Sequence, residues 1–223
     1  MKNVPKDRNV TVVITSCNRP NELERTIKSF LLMNTFPVNK YIVIEDGGSS
    51  NAISVAKNLL GEEGNVFIKN EKNLGQLNSI DIAYREVESE FIFHMEDDWN
   101  FHAPGFIEKS MEILLQEKNV IYLSLRAKTD QNGHPYIMRS DSIAEPLPFW
   151  KGVWVGYGFN PSLRRRSDYI MIGSSYGKWN ERETSIGIFY YINNKRVLLL
   201  ADDESYVTHS GNNSSTELTH KKA

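Results

Sequence analysis

Residues 10–31 read VTVVITSCNRPNELERTIKSFL, and this stretch decides the fold class. Residues 10–16 have almost no polar break, the pattern of a strand covered on both faces. A polar corner of Cys17, Asn18 and Arg19 follows, and Pro20, Glu22 and Glu24 suit the opening of a helix that Asn18 is placed to cap. Leu23, Ile27, Phe30 and Leu31 then recur at i, i+4, i+7 and i+8, one apolar stripe to lay on a sheet. A buried strand that hands over directly to an amphipathic helix is the first half of a βαβ unit.

The same rhythm continues outward to Leu125. Residues 41–44, 66–68, 91–95 and 120–125 are predicted strands. Between them, Ala52, Val55, Ala56, Leu59 and Leu60 keep helical spacing until Gly61 and Gly64. Leu77, Ile80, Tyr84 and Val87 mark a further helix, as do Ile107, Met111, Leu114 and Leu115 after Pro104. Alternation of this kind implies an α/β fold with right-handed crossovers and a mainly parallel sheet carrying helices on both faces. Ligands of such sheets bind beyond the carboxyl ends of the strands. The polar clusters at residues 15–19, 45–50, 70–76 and 96–99 fall at those ends, so the site is expected there.

After Arg126 the pattern breaks. Residues 126–166 mix Gly, Pro and Asp with Trp150, Trp154, Tyr157 and Phe159, without a helical period, and Arg164, Arg165 and Arg166 read as a solvated charge run. Residues 183–193 are expected to be a helix, 196–201 a buried strand and 205–209 a short strand, with a polar tail from 211 to 223. The whole chain, 1–223, is read as a single domain in which 9–125 and 126–210 are two halves.

Composition narrows the function. Of 223 residues, 40% are hydrophobic and 24% charged, enough for a core and unlike a disordered or collagenous chain. Twenty-six basic against 28 acidic residues leave a net charge of −2, so nothing binds nucleic acid or anionic lipid by charge alone. Cys17 is the single cysteine and cannot form an internal disulfide, as in reducing compartments. Residues 1–8 lack the apolar run of a signal peptide, and the longest aliphatic stretch, 197–201, is too short to cross a bilayer. The expectation is a soluble cytoplasmic protein with no transmembrane segment.

The strongest chemical signal is Glu96-Asp97-Asp98, directly after the apolar run FIFHM. Adjacent carboxylates repel one another unless a cation lies among them, and oxygen ligands with open positions suit Mg²⁺ or Mn²⁺ shared with substrate phosphates. An acidic surface turn is the alternative. Asp46, before Gly47-Gly48, stands where a carboxylate can accept from a base or ribose, though a turn and helix cap would use the same residues. Thr15, Ser16, Asn18 and Arg19 form a similar corner, and Arg19 suits a phosphate. Neither a G-x-G-x-x-G nor a Walker A motif is present. His94, inside an apolar run, reads as a satisfied core histidine, while Trp150 and Trp154 could offer apolar faces to a sugar ring.

Taken together, TVVITSCNRPNELERTIKSF (11–30), YIVIEDGGSSN (41–51), NLGQLNSIDIA (73–83) and FIFHMEDDWNF (91–101) resemble, in order and spacing, the opening of a family-2-like glycosyltransferase with the GT-A fold. The resemblance implies a UDP-, GDP- or dTDP-type sugar donor, a divalent metal (Mn²⁺ or Mg²⁺) at a DxD-like motif, and transfer to the hydroxyl of a glycan or other acceptor. It places Thr15 and Asp46 at nucleoside-binding positions, Asp97 near the ribose and Asp98 at the metal, with Asn73, Gly75 and Gln76 in a loop closing over the donor. In the second half, Glu183 matches the acidic base that opens a helix, and His209, after the strand VLLLA, matches a metal or diphosphate ligand. Where the family often carries a glutamate before that base this chain has Arg182, and Glu181 is the nearest substitute. A helix start that simply favours acids would account for both glutamates. The implied reaction is a metal-dependent displacement with inversion, residues 9–125 holding the donor and 126–210 the acceptor and base. The rival readings are a non-catalytic nucleotide-sugar-binding module and a sugar nucleotidyltransferase.

Overall fold

The computed structural model describes residues 8–131, 134–148, 156–179, 182–200 and 205–210. The chain runs β1 (Val10–Ser16), α1 (Pro20–Met33), β2 (Lys40–Glu45), α2 (Ser50–Leu60), β3 (Val66–Lys69), α3 (Gln76–Arg85) and β4 (Phe91–Glu96). It continues through β5 (Trp99–Phe101), α4 (Phe106–Gln116), β6 (Val120–Ser124), β7 (Tyr136–Ser140), β8 (Ile143–Pro146), β9 (Ser162–Arg165) and α5 (Arg166–Met171). It closes with α6 (Arg182–Ile192), β10 (Arg196–Leu200) and β11 (Val207–His209). Among the described residues, no helix is long and apolar enough to cross a membrane.

The main sheet has the order β3-β2-β1-β4-β9. β1 is parallel to both β2 and β4, β2 is parallel to β3, and only β9 runs antiparallel. Every residue of β1 is buried, as expected of a central strand with helices on both sides. Period-two alternation divides the core. Val10, Val12, Ile14, Phe91, Phe93 and Met95 face the layer of α1, α2 and α4, whereas Val13, Ile42, Ile44 and Ile92 face α3 and the aromatic residues of the second half. In the first layer Phe30, Phe93, Phe101 and Phe106 pack with ring centroids 5.1–6.1 Å apart.

The predicted strand at 120–125 leaves the main sheet. β6 instead pairs parallel with β10 in a second sheet of order β6-β10-β8-β7, and β9 takes the place beside β4. The stretch that showed no pattern in sequence contains the β7–β8 hairpin, β9 and the short α5. The run Arg164-Arg165-Arg166 is not a solvated patch. Arg164 is buried under the rings of Tyr122, Tyr157 and Phe159, and Arg165 donates to the carbonyls of Leu114, Glu117 and Val120 and pairs with Asp168. His94 is buried but not satisfied, since neither ring nitrogen has a hydrogen-bond partner among the described residues, and burial holds its pKa well below the usual range. Nor is Asn18 the cap of α1. Arg19 takes that position without a side-chain bond, and Pro20 opens the helix.

A buried carboxylate adds a further tie between the two halves of the chain. Asp81 on α3 accepts from Tyr169 Oη (2.8 Å), Ser175 Oγ (3.1 Å), and the N–H groups of Tyr176 (2.8 Å) and Gly177 (2.8 Å). Removing it leaves buried donors without an acceptor. We therefore expect Asp81→Ala to cost about 3 kcal/mol, lowering Tm by roughly 10 °C in thermal unfolding; a loss below about 1 kcal/mol would contradict this role.

Candidate active site

The carboxyl ends of β1, β2 and β4 converge, and the loops that leave them are joined by carboxylates. Glu45, the last residue of β2, is fully buried, and its Oε1 accepts from the N–H groups of Asn18 (2.8 Å) and Gly47 (2.9 Å). Those two bonds hold the β1 loop against the β2 loop. Asn18 adopts a left-handed backbone (φ 57°), and its side chain lies so close to Gly47 that a Cβ there would fall 2.1 Å from Nδ2. Asp46 Oδ1 accepts from Leu74 N–H and Asn70 Nδ2, and its Oδ2 from Gly75 N–H, each at 2.8 Å. The expected donor loop at 73–76 is thus stapled to the end of β2, and Gly75 (φ 85°) turns it into α3. Asn73 reaches back to Cys17 Sγ at 3.3 Å, placing the lone thiol inside the site. Burial and Glu45 push the Cys17 thiol above its ordinary pKa.

At the end of β4 the acidic triplet divides its tasks. Arg19 lies 2.5 Å from Asp97 Oδ1 and 2.8 Å from Asp98 Oδ2, neutralising both with one guanidinium. Burial outweighs Arg19 at Asp97 and holds its carboxyl at about 7. Thr26 Oγ1 on α1 lies 2.7 Å from the carbonyl oxygens of Asp97 and Trp99 and accepts from Trp99 N–H at 3.0 Å, which fixes the turn after β4. Pairing of β5 with β11 sets Trp99 opposite His209 and brings His209 Nε2 to 3.3 Å from Asp98 Oδ2. Ser210 closes this corner, its N–H (2.8 Å) and Oγ (2.9 Å) both donating to the Asp98 carbonyl.

Glu96 accepts from Gln76 Nε2 at 2.6 Å and from Trp99 Nε1 at 3.3 Å. Its carboxyl is raised to about 8 by burial, then by the charges of Asp98 and Glu183. Glu183, in the first turn of α6, is therefore near Glu96, and its Oε1 accepts from Phe159 N–H at 2.7 Å. Of the residues expected from sequence, Arg19, Asn73, Gly75, Gln76, Asp97, Asp98, Glu183 and His209 come together, with Thr15 and Ser16 buried at the end of β1 beneath them. Glu181, Trp150 and Trp154 lie outside the described residues. Tyr157 and Phe159 are not on a sugar-facing platform; both are buried in the aromatic core. Glu45, Cys17 and Glu96 carry no individual role in the sequence reading. A charge ending the apolar run YIVI was the available sign for Glu45, whereas Cys17 and Glu96 took part in motifs without a task of their own.

A divalent cation fits the residues present. Asp98 Oδ1 is buried with no hydrogen-bond partner among the described residues, and its other oxygen sits beside an imidazole. The carboxylate suits Mn²⁺ or Mg²⁺, and the imidazole favours Mn²⁺ of the two. No cluster of three His, Cys, Asp or Glu side chains able to enclose an ion occurs among the described residues, so further ligands would come from substrate oxygens and water.

The family model described as glycosyl transferase family 2 matches residues 11–183. Among solved structures, TarS 1-349 from S. aureus superposes with a TM-score of 0.65 at 14% identity, covering 91% of this chain and 60% of that one. The same protein in complex with UDP-GlcNAc gives 0.66 at 14% identity, covering 93% and 62%. The mannosyltransferase PcManGT from Pyrobaculum calidifontis, in complex with GDP-Man and Mn²⁺, gives 0.69 at 10% identity, covering 96% and 61%. At these identities the likeness establishes the fold, the GT-A architecture of a mostly parallel sheet with an antiparallel portion. The chain spans about three fifths of the length of these solved chains and 36% of a longer TarS chain. No curated protein matches it significantly.

The raised Glu96 carboxyl has a definite pH signature in metal-free protein. Because its folded pKa (about 8) exceeds the ordinary 4.5, the folded state binds the extra proton between those values, and stability falls as pH rises through that window. Glu96→Gln should therefore match the parent below pH 4.5 and exceed its Tm by roughly 10 °C at pH 8 in thermal melts without divalent ions. An equal difference at both pH values would show that Glu96 is not protonated in the fold.

Proposed function

This chain belongs to glycosyl transferase family 2, and we propose that it transfers a sugar from a nucleotide-diphosphate donor to an acceptor hydroxyl with inversion, using Glu183 as base. The observation that carries the reading is the meeting of Arg19, Asp97, Asp98 and His209 at the end of β4, with Glu183 of α6 near Glu96 of the same acidic cluster. Family membership supports the reaction class, and the complexes of TarS with UDP-GlcNAc and of PcManGT with GDP-Man and Mn²⁺ support the donor class.

Each residue has a task that follows from its setting. The stapled loop at 73–76, the β1 corner and Asp97 bind and orient the nucleoside and ribose, with Asp46 holding the loop in place. Asp98 and His209 hold the Mn²⁺ or Mg²⁺, which when bound neutralises charge on the leaving diphosphate. Arg19 supplies a fixed positive charge to the same region. Glu183 takes the proton of the attacking hydroxyl as the new glycosidic bond forms on the face opposite the departing diphosphate. One base and one displacement give inversion.

Melting the protein with UDP-, GDP-, dTDP- and CMP-sugars, with and without Mn²⁺, tests the donor. A matching donor at 100 times its Kd adds about 2.7 kcal/mol to stability, a rise in Tm of roughly 8 °C. Asp98→Asn should abolish the Mn²⁺-dependent part of that rise. Glu183→Gln should keep the rise and lose at least about 100-fold in donor-dependent release of nucleoside diphosphate. If no nucleotide sugar moves the Tm, the donor assignment fails; pyrophosphate as product would point to nucleotidyl transfer.

A further inference from the structure

Glu183 is bonded to one end of a peptide group whose other end meets a buried cation. Phe159 N–H donates to Glu183 Oε1 at 2.7 Å, and the Gly158 carbonyl, the other half of that amide, accepts from Arg164 Nη2. Resonance makes the C=O and N–H a single conjugated unit. A cation at its oxygen and an anion at its hydrogen polarise it in the same sense, so each bond strengthens the other.

The surroundings of Arg164 fit this link. It is 4% exposed, and among the described residues no carboxylate lies within ion-pair distance of it. Its remaining N–H groups donate to Tyr157 Oη (2.8 Å) and Ser162 Oγ (3.1 Å), and its guanidinium lies 4.7–5.3 Å from the centroids of Tyr122, Tyr157 and Phe159. A buried guanidinium without a direct counter-ion is costly, and the Glu183 carboxylate across one peptide offsets that cost. The segment between them is pinned: Gly158 N–H donates to Tyr122 Oη (2.9 Å), which donates to the Gly156 carbonyl (2.8 Å).

We propose that Arg164 is a positioning residue for the catalytic base: through the 158–159 peptide it orients the Glu183 carboxylate and keeps it ionised. This rests on Glu183 being the base. Among the described residues, the charged and titratable groups near Glu183 include Glu96 from β4, Tyr122 from β6 and, across the peptide, Arg164 from β9. Once Glu96 is charged it opposes ionisation of Glu183, and the polarised peptide counteracts it.

The test compares Arg164→Met and Arg164→Gln, which remove the charge, with Arg164→Lys, which keeps it. The readout is steady-state release of nucleoside diphosphate with the donor identified by melting. Both neutral variants should lose about 10-fold to 100-fold in kcat with donor KM within about twofold, and the acid limb of kcat against pH should move up by about one unit. Arg164→Lys should recover to within about threefold of the parent with the limb in its original place. A folded neutral variant with parental kcat and limb would overturn the proposal. A second measurement needs no Arg164 variant: with ¹⁵N-labelled phenylalanine in the unaltered protein, the Phe159 amide proton should resonate downfield, titrate with the acid limb, and lose its shift in Glu183→Gln. An amide indifferent to pH and to that substitution also overturns the proposal. If the parent releases nucleoside diphosphate from no donor, the functional reading fails, while the Phe159 titration still reports on the link itself.

Discussion

Two carboxylates at the end of one strand share one guanidinium, and the geometry of the site descends from that triad. Asp97 and Asp98 stand next to each other at the end of β4, where repulsion and desolvation both act against ionisation. Arg19, delivered by the turn between β1 and α1, holds the pair in place. The arrangement exists only because β1 lies beside β4 in the sheet and α1 starts directly above their ends. Coulombic attraction from Asp97 and Asp98 in turn raises the Arg19 pKa against the effect of burial. A cation fixed by the fold prepares this corner for anionic oxygens before any ligand arrives.

The first half of the fold was legible because its signals are local. The apolar run of β1 and the stripes of α1, α2, α3 and α4 each follow from periodicity alone, and the polar corners at strand ends mark the site. Pairing partners are not local. Nothing in VIYLS distinguishes a strand that joins β4 from one that joins β10, and β9, four residues rich in arginine, has no strand signature at all. Its arginines look solvated in sequence because charge is read residue by residue, whereas a cage of tyrosines can be recognised only after distant rings meet.

The site was legible where chemistry demands a residue type and less so where a residue serves another residue. The acidic triplet, Arg19 and His209 were visible as candidates, and the fold brings them together. Glu45 was not, because its work is to receive two backbone N–H groups, which any loop supplies. Asp46, expected at a nucleoside-binding position, also accepts from three donors of the loop at 70–75. Its carboxylate shapes the binding loop.

The crowding between Asn18 and Gly47 carries a lesson for anyone diversifying this scaffold. The amide of one residue fills the volume where the other would keep a side chain. Alanine at 47 is therefore compatible with the present backbone only if the Asn18 side chain swings aside or is trimmed. The variety open at 47 thus depends on what residue 18 presents, whereas shortening residue 18 beside the glycine relieves the crowding by itself.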